Sequence, residues 1–292
     1  MKDFTLTLMS LALILSTIQC ASDNATNLTQ TGTLQLKANG EDFVRNGFTS
    51  EDGWAITFTS VYANINGATS YQLSETSNTK VQAGKSLPTE VNFHAGHPTT
   101  GVAEGTSYVG FTGEHFLSLK QDAFVVDSNS TAVVGNYNRL NFNVKKATSS
   151  SKGIVSDYIG YTIVLIGTAV KSGNTVNFTL KFDQETSYTG CGPNGHKGVV
   201  TSGGSAESEM TFHFDHIFGN QSEGSATPSD PEKINFVAIG FTPFEQLDAS
   251  AYPKTLNKTQ TEMAAGMANA TYVQLVNAIT TLGHSGEAHC HY

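Results

Sequence analysis

The amino-acid sequence predicts a mainly β protein, an antiparallel β-sandwich that carries a C-terminal helical appendage. Only 14% of the 292 residues are charged and 28 are glycine, a composition typical of short strands joined by many turns. Apolar and polar residues alternate in several segments, as they do in strands that bury one face. Near the C-terminus the spacing of the apolar residues changes to that of a helix.

The N-terminal residues predict an exported protein. Lys2 precedes an apolar run from Leu8 to Leu15, and this run is too short for a membrane-spanning helix. Cys20 follows where a bacterial lipoprotein carries its lipidated cysteine, although an ordinary signal peptide would be cleaved so that Cys20 is removed. We expect residues 1–20 to be a lipoprotein-type signal peptide and the protein to be membrane-anchored in the bacterial cell envelope, in the periplasm or at the outer membrane.

The next part of the chain predicts the β domain. Residues 21–31 are polar and predict a flexible tether, and the β-sandwich is expected at residues 32–219. Residues 33–38 alternate and predict a first strand. Residues 161–170 are apolar on both faces, and a turn joins them to the alternating residues 175–183, which predicts a central hairpin.

Two irregularities are predicted early in the β domain. The alternation of residues 54–65 changes phase near Thr59, which indicates a β-bulge. Residues 39–47 predict a loop, because Asn39, Gly40 and Gly47 are typical of irregular connections.

Residues 220–292 predict a polar loop followed by C-terminal helices and a His/Cys tail, all packed on the sandwich. The Thr-Pro pair at residues 242–243 is typical of a helix start. Two further helices are predicted at residues 259–267 and 270–281, and Gly283 would cap the second of them.

Two short stretches concentrate the groups that bind transition metals, one at residues 211–219 and one at residues 283–292. Imidazole, thiol and carboxylate ligands suit zinc or copper, whereas Ca²⁺ and Mg²⁺ prefer oxygen ligands alone. A further histidine lies in a predicted turn. The candidate metal ligands are His213, Asp215, His216, His284, His289, His291 and His196.

The first of these stretches continues an alternating strand that starts near Ala206. Its apolar side chains, ending with Phe214, should face the core. His213 and Asp215 would then leave the strand together on its outer face. Whether this stretch meets the C-terminal one in space is not decided by the sequence.

Two cysteines remain once Cys20 is lipidated or removed. In an oxidising compartment Cys191 and Cys290 most simply form one disulfide, which would close a loop of about 100 residues. The alternative is that both are thiolate metal ligands.

Four segments of the chain resemble a family of uncharacterised bacterial exported lipoproteins. They are ANGEDFVR at residues 38–45, TIVLIGTA at 162–169, TFHFDHIFG at 211–219 and LGHSGEAHCH at 282–291. The HFDHIFG and LGHxGExHCH motifs are the most specific, and the resemblance spans most of the mature chain. It implies one exported, mainly β domain with C-terminal helices, and it implies no reaction.

The net charge and the absence of catalytic motifs narrow the classes of function that the sequence allows. The net charge of −9 and the lack of a basic patch exclude nucleic acid as a partner. No Gly-X-Ser-X-Gly or zincin motif is found, and we predict that the protein is not an enzyme. We expect a lipoprotein that binds a zinc or copper ion and touches the membrane through its lipid anchor only. The alternative is a structural or adhesive β-sandwich surface protein without metal.

Overall fold

The computed structural model describes residues 29–73, 107–192, 197–221, 239–285 and 288–290. The first elements are β1 (Thr31–Asn39), α1 (Glu41–Asn46), β2 (Phe48–Thr49), β3 (Ala55–Tyr71), β4 (Tyr108–Ser118), β5 (Phe124–Val133), β6 (Gly135–Asn136) and β7 (Arg139–Val144). The next are β8 (Ile163–Lys171), β9 (Asn174–Phe182), β10 (Thr186–Cys191), β11 (Val199–Val200) and β12 (Ser205–Phe212). The last are α2 (Thr242–Glu245), β13 (Lys254–Thr259), α3 (Gln260–Gly266), α4 (Asn269–Thr280), β14 (Gly283–Ser285) and β15 (Ala288–His289). The described residues also include 3-10 helices at Ser156–Tyr158 and Phe214–Ile217.

The strands form two large sheets, which confirms the predicted mainly β class with C-terminal helices. One sheet has the order β15-β14-β12-β1-β5. The other has the order β10-β7-β3-β8-β9-β13, with β2 and β4 also paired to β3. Strands β6 and β11 form a separate pair.

The two large sheets face each other across a shared apolar core. The rings of Phe142 on β7 and Phe212 on β12 lie 5.6 Å apart between their centroids. Ser70 Oγ on β3 donates a hydrogen bond of 2.6 Å to Ser208 Oγ on β12. Strand β1 alternates between buried and half-buried residues along its whole length, as expected for a strand with one face in the core.

Most locally encoded elements are confirmed. The predicted hairpin corresponds to the antiparallel pair β8–β9, and the register of β3 shifts between Phe58 and Ser60, where the bulge was predicted. The three predicted C-terminal helices correspond to α2, α3 and α4. Helix α3 begins with a capping box, in which the Thr259 side chain accepts from the Glu262 N–H and the Glu262 carboxylate accepts from the Thr259 N–H.

Three features differ from the sequence-based expectation. Strand β1 pairs with β12 in parallel, and β13 pairs with β9 in parallel. The segment predicted as a loop at residues 39–47 contains helix α1. Gly283 does not cap α4, because the cap position is Thr281 and Gly283 already belongs to β14.

The C-terminal helices bring the chain end back to the first sheet. Leu275 and Ile279 of α4 are buried in the common core, whereas Val273 is exposed. Just beyond α4 the chain enters β14, which pairs antiparallel with β12. Among the described residues, no helix is long and apolar enough to cross a membrane.

Candidate metal centre

The two histidine-bearing stretches meet at the edge of the first sheet. Strand β12 ends at Phe212, and Thr211 and Phe212 pair with His284 and Gly283 of β14. The His213 N–H continues this pairing with a hydrogen bond of 3.0 Å to the Leu282 carbonyl. Backbone pairing therefore fixes His284 beside the residues that follow β12.

Three imidazole rings cluster where these elements join. The centroids of His213 and His284 are 3.8 Å apart in a stacked arrangement, and His216 lies 5.2 Å from the first ring and 5.3 Å from the second. One nitrogen from each ring lies within 4.8 Å of the other two. The residues are 7%, 2% and 7% exposed for His213, His284 and His216, so the cluster is shielded from bulk water.

The rings of His213 and His216 each contact an acceptor from another part of the chain. His213 Nε2 lies 2.8 Å from Glu41 Oε1 of α1. His216 Nδ1 lies 3.2 Å from the carbonyl oxygen of Thr281, just beyond the end of α4. A neutral imidazole donates from one nitrogen and keeps a lone pair on the other. The Thr281 carbonyl can only accept, so the lone pair of the neutral His216 ring lies on Nε2. The Glu41 carboxylate beside His213 Nε2 favours a proton there and a lone pair on Nδ1.

Asp215 is close to the histidines in sequence but has a different environment. It is 1% exposed, and its Oδ2 accepts a hydrogen bond of 3.3 Å from Asn220 Nδ2. Among the described residues, the group of ligand atoms within 4.8 Å consists of the three histidines and does not include this carboxylate.

The predicted exposure of His213 and Asp215 on an outer strand face is wrong. Strand β12 stops at Phe212, and His213 precedes the 3-10 helix Phe214–Ile217. The two-residue alternation no longer applies beyond the strand. Helix α1 and strand β14 cover this region, and both residues are buried.

Glu41 was not among the predicted site residues, because the segment around it was taken for a loop. Its backbone is in the left-handed region with a φ of 63°. For a residue other than glycine such a conformation costs of the order of 1–3 kcal/mol unless neighbouring groups hold it. Asn39 Oδ1 accepts hydrogen bonds of 2.9 Å from both the Glu41 N–H and Arg45 Nη1. The sequence signal that could have marked this position is the Asn-Gly pair directly before it.

The Cys191–Cys290 disulfide is confirmed. It connects the end of β10 to the residue after β15, and the Cys290 N–H also donates to the Gly283 carbonyl. The alternative role of both cysteines as thiolate ligands is wrong, since each sulfur is bonded to the other. The bond fixes the hairpin β14–β15, and with it His284, to the second sheet.

Gly283 is required by the close approach of an aromatic ring. A Cβ atom at this position would lie 2.5 Å from Cγ and 2.7 Å from Cε1 of Tyr188. Tyr188 is 1% exposed, and its hydroxyl donates to the Ile279 carbonyl at 2.9 Å. Glycine therefore lets β14 pass directly over this ring and carry His284 into the cluster.

The other predicted site residues are described in part or lie outside the described residues. The backbone of His289 forms part of β15 and pairs with His284. The described residues do not include Cys20, His196 and His291.

The cluster has the donor set of a transition-metal site. Three imidazole nitrogens suit zinc or copper, which accept nitrogen ligands at about 2 Å and leave a fourth position for water or another ligand. An imidazole lone pair lies in the plane of its ring. An ion shared by His213 and His284 therefore requires one of these rings to turn out of the stack seen between them.

Comparison with known proteins does not identify a family for this chain. No protein-family model matches the chain, and neither the curated proteins nor the solved structures contain a match to it.

Proposed function

We propose that this protein is an exported lipoprotein of the bacterial cell envelope that binds a zinc or copper ion through His213, His216 and His284. The observation that carries the proposal is the buried cluster of these three rings, with one nitrogen from each within 4.8 Å of the others. Residues far apart in the sequence form it, and two of its rings are oriented by acceptors on separate elements. Such outer acceptors are typical of histidines that bind metal.

The choice of metal follows from the ligands. The cluster offers three nitrogen atoms, which suit zinc and copper better than calcium or magnesium. The shielding from water strengthens the interaction between a bound cation and the nearby Glu41 carboxylate.

The cell-envelope location is supported by the N-terminal sequence and by the disulfide. The apolar run before Cys20 is typical of an export signal. Disulfides such as Cys191–Cys290 are common in exported proteins and rare in the cytosol. We propose a non-enzymatic role for the site in binding the ion, with Cys20 as the lipid anchor.

A metal titration of the mature chain tests this proposal. We expect wild-type protein to bind Zn²⁺ or Cu²⁺ at one site, measured by competition with a chelator of known affinity. His213→Ala, His216→Ala and His284→Ala should each weaken binding by at least ~10-fold, because each removes a ligand. His115→Ala is the matched control, since His115 is a half-buried histidine on β4 outside the cluster.

A stability measurement provides an independent readout. A ligand that binds only the folded protein stabilises it by about 2.7 kcal/mol at a free concentration of 100 times Kd. Zinc or copper should therefore raise the thermal midpoint of wild type and His115→Ala by the same amount, and that of His284→Ala by clearly less. Wild-type protein that binds neither metal would contradict the proposal and favour the adhesive β-sandwich without metal.

A further inference from the structure

We infer that Glu41 is a positioning residue of the three-histidine site, whose carboxylate holds the His213 ring so that Nδ1 is presented to the ion. The inference rests on the proposed function and adds to it a residue outside both histidine-bearing stretches. Glu41 acts through His213 and is not itself a ligand.

The first observation is the contact itself. Glu41 Oε1 lies 2.8 Å from His213 Nε2, and the two side chains are only 14% and 9% exposed. At this ion-pair distance the exclusion of water strengthens the attraction between the carboxylate and a ring N–H. The carboxylate therefore favours the tautomer with the proton on Nε2 and orients the His213 ring.

The second observation is the backbone of Glu41. Its φ of 63° lies in the left-handed region, which disfavours residues with a side chain. Asn39 holds this conformation by accepting from the Glu41 N–H, and Asn39 is in turn bonded to Glu209 and Arg45. Unfavourable backbone conformations held by their surroundings concentrate at functional sites. Here the conformation places the side chain of an α1 residue against the ring of His213.

The third observation is the matching contact on His216. The Thr281 carbonyl oxygen lies 3.2 Å from His216 Nδ1, which leaves Nε2 for an ion. Glu41 and Thr281 belong to different parts of the chain, yet each contacts the outer nitrogen of one ring. Glu41 therefore acts on His213 as the Thr281 carbonyl acts on His216.

The left-handed backbone makes a sharp test possible. Glu41→Gly removes the carboxylate and at the same time removes the conformational cost of a positive φ at this position, because glycine adopts positive φ readily. A purely structural role of Glu41 would lower the thermal midpoint of this variant. A positioning role predicts that Zn²⁺ affinity falls ~10- to 100-fold, while the thermal midpoint of the metal-free variant is unchanged or raised.

Two further variants and one spectrum complete the experiment. Ser172→Gly is the matched control, since Ser172 also has positive φ (50°) but lies exposed in the β8–β9 turn. It should leave Zn²⁺ affinity unchanged. Glu41→Gln keeps an acceptor oxygen and should recover most of the affinity. Co²⁺ bound in place of Zn²⁺ should give the same visible absorption bands in wild type and in both Glu41 variants, because the ligands to the ion are the same.

Three results would overturn the inference. Zn²⁺ affinity of Glu41→Gly equal to that of wild type would show that the carboxylate does not act on the site. A lower thermal midpoint accompanying weaker binding would indicate a structural role. Shifted Co²⁺ bands in the Glu41 variants would make the carboxylate a direct ligand. Wild-type protein that binds neither zinc nor copper would instead overturn the proposed function.

Discussion

Substitution of Gly283 by alanine tests how the fold places His284 in the cluster. The added methyl group would lie 2.5 Å from Cγ and 2.7 Å from Cε1 of Tyr188, closer than carbon atoms approach without displacement. The ring has little room to move, since Tyr188 is 1% exposed and bonded to the Ile279 carbonyl. The ring also packs against Phe142, with ring centroids 4.9 Å apart. Strand β14 must therefore shift away from the ring.

The magnitude follows from the cost of overpacking. Adding a methyl group to a well-packed core destabilises a protein by about 1–3 kcal/mol. The backbone at Gly283 is not in the left-handed region, so steric contact with Tyr188 accounts for this loss. The shift also displaces His284, the next residue. Each ~1.4 kcal/mol lost from the metal complex weakens binding tenfold.

Urea unfolding and a Zn²⁺ titration measure the two effects. Gly110→Ala is the matched control, because a Cβ atom at Gly110 on β4 meets no atom within 4 Å. We expect Gly283→Ala to lower the free energy of unfolding by about 1–3 kcal/mol and to weaken Zn²⁺ binding, and Gly110→Ala to do neither. Unfolding free energies for Gly283→Ala and wild type that agree within ~0.5 kcal/mol would refute the argument from Tyr188.

Two further predictions concern the parts of the fold that support the site. Burial alone would raise the pKa of the Asp52 carboxyl, but hydrogen bonds from Ser50, Thr242 and the Phe241 and Thr242 N–H groups outweigh it and lower the pKa. Because the folded pKa is depressed, this stabilisation is complete above the unfolded value of about 3.9 and is lost as the pH falls through the folded pKa. Asp52→Ala should therefore be less stable than wild type at pH 6, and the difference in unfolding free energy should shrink below about pH 4; a difference independent of pH would contradict this. Cys191→Ala/Cys290→Ala removes a bond between residues 99 apart in sequence and should lower the unfolding free energy by up to about 4.7 kcal/mol in the chain-entropy account, as measured by urea unfolding. Equal stability of the two proteins would count against the proposed role of the bond.

Local sequence signals were sufficient for many elements of the fold. The β8–β9 hairpin has two alternating segments joined by a turn that contains Gly173. This local pattern predicts a hairpin without information from the rest of the chain. Helix α4 likewise follows from the helical spacing of its apolar residues, and helix α3 begins with a capping box. The parallel pairing of β1 with β12 joins residues about 170 positions apart, and no local pattern specifies it.

The candidate site was predictable in composition but not in geometry. His213, His216 and His284 were identified because metal-binding side chains are concentrated in two short stretches. Their burial depends on elements from elsewhere in the chain that cover the end of β12, so strand alternation gave the wrong face for His213. Glu41 was missed because its role requires both a left-handed backbone and a contact across more than 170 residues.

The most direct test of the central claim is to locate the ion. Crystals of the mature protein grown with Zn²⁺ or Cu²⁺ can be measured at the absorption edge of the metal, where anomalous scattering reveals its position. The account predicts one strong peak about 2 Å from a nitrogen of each of His213, His216 and His284. A peak bound by other residues, or a cluster without metal at saturating concentration, would contradict it.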